Sequence, residues 1–282
     1  MATEPKVDVD LVVIGAGPGG GSAALHASRL GLSVMVLEAD PEIGTPVHCG
    51  ECLSHLATEQ LELDLPDHVI ALAVDGVRVI FPDGTAKLLT EPGYVLEKHL
   101  FERWIMEQAE ERGADVHLGH RVTKMEREFN SENQFSNWNL DGRGDAFPIR
   151  CRGVIDASGV HGAASKILGM PGEVEVIAGF QYELNDVPND GYLDFYIQPE
   201  YAPHGYVWMI PKAGERANVG LVTTDKKGAI KYLDQFIDDT YLKGKPHVNP
   251  PWRKEGIKVR PFGGTIPISG PRPSTVEDGL LL

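Results

Sequence analysis

The sequence predicts an α/β protein: a parallel sheet flanked by helices, with an antiparallel, β-rich segment inserted into it. Three observations carry this. Within the first 38 residues a short apolar strand runs through a glycine turn into a helix and on to a second strand. Later, an amphipathic helix over 97–112 and an apolar strand over 153–159 return to the same pattern. Between 174 and 225 the pattern changes to long strands interleaved with aromatics.

The first strand is Leu11-Val12-Val13-Ile14, and the turn is Gly15-Ala16-Gly17-Pro18-Gly19-Gly20. Gly15 permits the sharp bend, Gly17 lets a pyrophosphate approach the backbone, and Gly20 lets the helix lie close on the strand. The free N–H groups at the helix start, with the positive dipole end, suit phosphate charge. Ala24 is small, Val34 and Val36 mark the second strand, and Glu38 ends it, eighteen residues past Gly20, where a carboxylate accepts from ribose hydroxyls. Glycine turns are common, and an ordinary strand-to-helix turn is the bland alternative; the complete context decides for a Rossmann-like dinucleotide site. The motif alone does not separate FAD from NAD; its position at the start of the chain favours FAD.

After a Gly- and Pro-rich loop over 39–53, strand-like alternation at 76–81 is split by Pro82-Asp83-Gly84, a hairpin signal. The helix over 97–112 places Leu100, Phe101, Trp104, Ile105 and Ala109 on one face and Glu102, Glu107, Glu110 and Glu111 on the other, and Gly113 stops it. Val116 and Val122 mark returning strands, and the polar stretch 130–145 reads as turns of an antiparallel meander. A helix near 228–240, the break Pro250-Pro251-Trp252 and strands near 256–267 follow. The expected domains are discontinuous: 1–75 with 93–170 for the dinucleotide, and 76–92 with 171–267 as the β-rich insertion. Residues 268–282 begin a return strand whose partners are unmade, so the sequence reads as truncated at its C-terminal end.

Of 282 residues, 42% are hydrophobic and 24% charged, a globular profile. No stretch approaches the ~20 apolar residues of a membrane span, and no secretory leader precedes residue 10. The net charge of −15 argues against nucleic-acid binding. Three cysteines, Cys49, Cys52 and Cys151, make no secreted disulfide framework and point to a reducing cytoplasm.

His48-Cys49-Gly50-Glu51-Cys52 brings two cysteines together. A zinc site lacks its second pair of ligands; a loop needing small residues comes first and a redox dithiol second. In Tyr206-Val207-Trp208-Met209-Ile210-Pro211 the alternation of a strand puts Tyr206 and Trp208 on one face, either a sheet core or the wall of a substrate cavity. Asp156, at the strand end before Ala157-Ser158-Gly159, suits a pyrophosphate or a ribityl chain as well as an ordinary turn. Serine-hydrolase, zinc-protease and P-loop signatures are absent, and no histidine is assigned to a metal.

The chain resembles the geranylgeranyl reductase family of flavoproteins, within the p-hydroxybenzoate hydroxylase-like class. Four stretches carry the resemblance: Gly15–Gly20 with Glu38; Glu42 to Glu51; Gly93-Tyr94-Val95-Leu96-Glu97; and Gly205-Tyr206-Val207-Trp208-Met209-Ile210-Pro211. The last is similar to the family's Tyr-x-Trp-x-Phe-Pro, with Ile210 for Phe. The resemblance implies FAD, its ADP half held by Gly15, Gly17, Gly19, Gly20, Glu38 and Ala39, its flavin lined by Cys49, Gly50 and Cys52, and its adenine touched by the backbone of Val122. Lys98 stands where the family usually has Arg, keeping the charge and losing the bidentate fork. Cys52 stands where relatives often have Gly, and a Gly-Asp-Ala segment would begin beyond Leu282. Tyr206, Trp208 and Pro211 would wall an isoprenoid cavity, and Cys49 and Tyr206 are the positional candidates for proton donation. The implied reaction reduces C=C bonds in geranylgeranyl chains of an ether lipid, with NAD(P)H or ferredoxin as electron source and peripheral membrane contact. The alternatives are a flavin monooxygenase or halogenase, a flavin–disulfide reductase on Cys49 and Cys52, and an FAD-free fragment.

Overall fold

This computed structural model describes residues 7–160, 162–170, 174–185, 187, 189–243, 258–270 and 272–282. The expected polar start, 1–6, and the Pro250-Pro251-Trp252 break lie outside them. In chain order the elements are β1 (Val9–Ile14), α1 (Pro18–Arg29), β2 (Val34–Leu37), β3 (Cys52–Ser54), α2 (His55–Gln60), β4 (Ile70–Val74), β5 (Gly76–Ile80) and β6 (Ala86–Leu89). Then come β7 (Gly93–Leu96), α3 (Lys98–Glu110), β8 (Asp115–His117), β9 (Arg121–Phe129), β10 (Phe135–Arg143), β11 (Ile149–Asp156), α4 (Ala163–Leu168) and β12 (Val176–Leu184). The rest are β13 (Tyr192–Tyr196), β14 (Tyr206–Lys212), β15 (Arg216–Thr223), α5 (Ala229–Lys243), β16 (Lys258–Pro267), β17 (Val276–Glu277) and β18 (Leu280–Leu281).

The chain divides into two compact units, one of Met1–Thr45, His99–Val174 and Ser269–Leu282, the other of Pro46–Lys98 and Glu175–Ile268. Residues 46–75 and 93–98, expected with the dinucleotide unit, belong instead to the second. The cause is packing: β3, β7 and β4 form a small sheet whose Ala71, Val74 and Val95 bury against Trp208, Ile210 and Val222. Apolar side chains of a short sheet must be covered, and these strands are covered by the long antiparallel sheet.

In the first unit the order β18-β11-β1-β2-β8 is parallel throughout, with β9 and β10 completing an antiparallel meander on β11. Val12 and Val13 face both sides of this sheet and are fully buried, as continuous apolar parallel strands require. Three expectations are corrected. The polar stretch 130–145 contains the strand β10: Trp138 and Leu140 fill the core while Asn139 and Asp141 on the other face are half-buried and exposed, so much of its polarity reflects a one-sided strand rather than a turn. Glu102, expected on the outer face of α3, is buried, because the loop at Gly44 lies on this part of the helix; a Cβ there would stand 2.7 Å from the His99 backbone and 3.1 Å from Glu102 Oε2. The terminal run expected to lack partners has two: Leu280-Leu281 pairs parallel with Val154-Ile155 and antiparallel with β17.

The second unit is built on the sheet β16-β12-β15-β14-β13-β5-β6. One face of its central strands, with Val207, Met209, Val219 and Leu221, packs against Leu233 and Phe236 of α5. The opposite face carries Tyr206, Trp208 and Ile210. Asp83 makes the expected hairpin turn between β5 and β6, its carboxylate accepting from the Thr85 N–H at 2.9 Å and hydroxyl at 2.7 Å.

Candidate functional site

The first unit holds the glycine turn at the end of β1. Gly15 has φ +100°, and a Cβ on Gly20 would overlap the Gly15 carbonyl oxygen, so helix and strand touch backbone to backbone. Nothing lies within 4 Å of where a Gly17 side chain would stand. Gly17 is also the N-cap of α1 and offers no side-chain cap, with Pro18 following it. The N–H groups of the first turn, Gly19 and Gly20, are therefore left for a ligand. Glu38 is fixed beside them: one carboxylate oxygen accepts from Ala16 N at 2.7 Å and the other from Asp40 N at 2.8 Å, with Ala39 between. An open glycine face, an uncapped helix start and an adjacent oriented carboxylate fit the ADP half of FAD.

Of the two other expected residues of this unit, Asp156 has a structural task and Val122 has its side chain in the core. Asp156 turns its carboxylate to Ser158 and to Ala164 N at 2.7 Å, so it ties the strand end to the start of α4. Val122, the second residue of β9, has its side chain buried in the core, leaving only main-chain atoms to a ligand.

The second unit contains an apolar cavity of about 50 Å³ lined by His48, Cys49, Gly50, Gly179, Phe180, Gln181, Trp208, Gly264 and Ile266. Its origin lies in strand register. Across the sheet, Gly264, Gly179, Val222 and Tyr206 form one row, and Gln181, Gly220 and Trp208 form the next. Gly264 and Gly179 in the first row leave space where side chains would stand, while the place beside Gly220 is filled by the Gln181 and Trp208 side chains. Onto this face the loop 49–51 is laid in step with alternate residues of β14. Cys49 faces the Trp208 row, a Cβ on Gly50 would touch Ile210 Cδ1 at 2.8 Å, and Glu51 reaches Lys212.

Glu51 anchors this loop. It is a buried carboxylate whose backbone sits at φ +72°, a conformation that costs a non-glycine residue about 1–3 kcal/mol. Its oxygens accept from Lys212 Nζ at 2.8 Å, Asn218 Nδ2 at 2.6 Å and Lys98 N at 3.0 Å, and its carbonyl accepts from Leu96 N at 2.8 Å. Lys212 also donates to Glu97 at 3.0 Å, and Arg216 joins Glu97 at 2.6 Å to Glu183 at 2.9 Å. Burial alone would raise the Glu97 carboxyl, but hydrogen bonds from Arg216 and Lys212 outweigh it and hold Glu97 below the usual range. Lys98, the family's Arg position, thus enters through its backbone.

Cys49 and Cys52 are both free. Cys49 Sγ accepts from Glu51 N at 3.2 Å. Cys52 exposes much of its surface, yet crowding away from water, then the charges of Cys49 and Glu51, push its thiol up to about 12. A thiol so reluctant to ionise is a poor redox nucleophile. Tyr206 stacks between Phe195 and Trp208, with centroids 5.5 and 6.1 Å away, and stands beside the lining rather than in it. Burial, then Cys52, raises its hydroxyl, which keeps its proton. Pro211 departs from expectation: alternation sends it to the face of Val207 and Met209, away from the cavity.

Sequence reasoning missed Gln181, Lys212 and Asn218. Gln181 and Asn218 lie on strands that read as sheet core, and Lys212 directly follows the aromatic motif. Only Lys212 carried a local signal: it follows Tyr206, Trp208 and Ile210 at the same alternation on one strand.

A family model for FAD dependent oxidoreductases matches residues 10–190, and one for the geranylgeranyl reductase catalytic domain matches 175–249. The digeranylgeranylglycerophospholipid reductase 1 of Methanococcoides burtonii is 32% identical, covering 98% of this chain and 67% of its own. The digeranylgeranylglycerophospholipid reductase of Methanosphaerula palustris is 33% identical, covering 98% and 69%. A geranylgeranyl bacteriochlorophyll reductase-like protein from Thermoplasma acidophilum superposes with TM-score 0.83 at 28% identity, over 97% of this chain and 70% of that one. A flavin-dependent brominase, TM-score 0.74 at 18% identity over 97% and 70%, shares the fold alone. The chain belongs to the geranylgeranyl reductase family of FAD-dependent oxidoreductases.

Proposed function

We propose that this chain reduces C=C bonds in the geranylgeranyl chains of an isoprenoid ether lipid, using FAD. One observation carries the reading beyond the fold: the segment matching the geranylgeranyl reductase catalytic domain supplies Gly179, Phe180, Gln181 and Trp208 to an apolar cavity. By volume the cavity takes roughly three to five waters, comparable to one isoprene unit.

Gly15, Gly17, Gly19, Gly20, Glu38 and Ala39 hold the ADP half, and bound FAD in its reduced form supplies the hydride. The chain's own residues orient the alkene, exclude water and deliver a proton. Trp208 provides a flat wall, and the glycines of the neighbouring strands leave room against it. Cys49 lines the cavity and is the first choice for the proton; Tyr206, one step along the same face, keeps its proton and is the second. NAD(P)H or ferredoxin is the electron source. No helix among the described residues is long and apolar enough to cross a membrane. Peripheral membrane contact of a cytoplasmic protein is the proposed way to a lipid substrate.

Anaerobic turnover of a digeranylgeranyl glycerophospholipid with dithionite-reduced FAD, read by mass as two-hydrogen increments, tests this. An oxygenated or halogenated product in air, with no mass gain anaerobically, overturns it. Cys49→Ala should lower turnover by about 10²- to 10⁴-fold, as loss of a general acid does, while FAD binding persists. Tyr206→Phe should then cost far less; the reverse order moves the proton to Tyr206.

Gly179→Ala tests the cavity. The added Cβ would sit 3.4 Å from Ile266 and 3.6 Å from Val222, ordinary contacts, so folding survives. One methyl group inside a fitted apolar site should lower kcat/KM for the prenyl substrate about 10-fold. An unchanged kcat/KM would place the reacting chain elsewhere.

A further inference from the structure

We infer that Gln181 is a positioning residue for prenyl reduction, locking the Trp208 ring and the Cys49 loop into a single wall of the cavity. This rests on the prenyl-reductase reading. Gln181 is only 3% exposed, in a lining that is otherwise apolar apart from His48 and Cys49. A buried amide is costly unless both its ends are satisfied. Here Oε1 accepts from Trp208 Nε1 at 3.0 Å and Nε2 donates to the Cys49 carbonyl at 2.9 Å. The orientation is forced, because an indole N–H only donates and a carbonyl only accepts.

The reach is possible because the residue between them is glycine. Gln181 and Trp208 sit on the two strands flanking β15, each in register with Gly220. A Cβ on Gly220 would overlap Gln181 Cβ and Trp208 Cζ2. The sheet thus leaves one position empty so that an amide on one strand can hold an indole two strands away. The same amide pins the carbonyl of the residue we assign to proton delivery. Of the twenty side chains, only glutamine, or a neutral glutamic acid, offers this acceptor and donor at this length.

The last point supplies the test. In FAD-loaded enzyme, Gln181→Leu should bind FAD as wild type does and lose up to ~100-fold in prenyl kcat/KM, as misplacement of a site by about 1 Å does. Gln181→Glu should be comparably impaired at high pH, where the carboxylate accepts from Trp208 and has nothing to give the Cys49 carbonyl. It should recover toward wild type as pH falls and the neutral carboxyl donates again. The titratable groups around position 181 are His48 and Cys49 on the loop and Glu183 on the same strand, so wild type over the same range is the reference. A second readout needs no turnover: the Trp208 indole N–H resonance, identified by its loss in Trp208→Phe, should move with pH in Gln181→Glu and stay fixed in wild type.

Wild-type kcat/KM in folded Gln181→Leu, or a Gln181→Glu profile parallel to wild type in both readouts, overturns the inference. If wild type reduces no prenyl lipid while the indole resonance still titrates in Gln181→Glu, the contact stands and the substrate reading falls instead.

Discussion

Lys212→Met is expected to destabilise the protein by about 3–5 kcal/mol, read by urea denaturation, the scale for breaking a buried ion pair from one side. The cause is what remains. Glu51 would keep its charge beneath the sheet face with only Asn218 and the Lys98 N–H to compensate it, and Glu97 would lose one of two cations. The Glu51 backbone, held at positive φ, would lose the contact that offsets its strain. Adding Glu51→Gln removes the stranded charge, and the double variant should regain part of the loss, because neighbours in one network are not additive. A loss below about 1 kcal/mol for Lys212→Met would mean that water reaches the pair and that the loop is anchored elsewhere. The network also sets a pH response. The folded Glu97 carboxyl lies below its unfolded value, so its contribution is complete above about pH 4.5 and is lost as pH falls through the folded value. Arg216→Gln, which removes one of the cations lowering Glu97, should flatten this acid loss.

The second large effect belongs to the nucleotide cradle. Gly20→Ala puts a methyl group onto the Gly15 carbonyl oxygen, and neither backbone has room to yield without opening the turn. Overpacking of about 1–3 kcal/mol aimed at the phosphate-binding turn should weaken FAD by about 10- to 100-fold, measured by quenching of flavin fluorescence on titration. Gly17→Ala makes the contrast. Its methyl group meets nothing within the protein, so stability should hold while affinity falls if, as proposed, the pyrophosphate comes to that open side. Equal affinities for Gly17→Ala and wild type would show that the phosphates lie elsewhere.

The difference between what the chain announces and what it hides follows from distance along the sequence. The cradle is legible because Gly15 to Glu38 is contiguous, and each glycine answers a local steric demand. The paired aromatics Tyr206 and Trp208 were equally readable, since alternation is a property of one strand. Pro211 was misplaced because a motif was read as a string, while the strand sends odd and even positions to opposite faces. The Glu51–Lys212 pair spans 161 residues and Gln181–Cys49 spans 132, and no local pattern links partners so far apart. The unit boundary at 46 was missed for a related reason. Residues 46–98 follow the first nucleotide strands directly, but their apolar faces are completed by strands beyond residue 175.

The stepwise fit of residues 49, 50 and 51 onto 208, 210 and 212 has a consequence for anyone recombining this enzyme with its relatives. The two segments act as key and lock cut to one pitch. Exchanging either alone mismatches three contacts at once, and inserting a single residue in the loop throws every later tooth out of phase. Swapped together, they should transplant as one cassette.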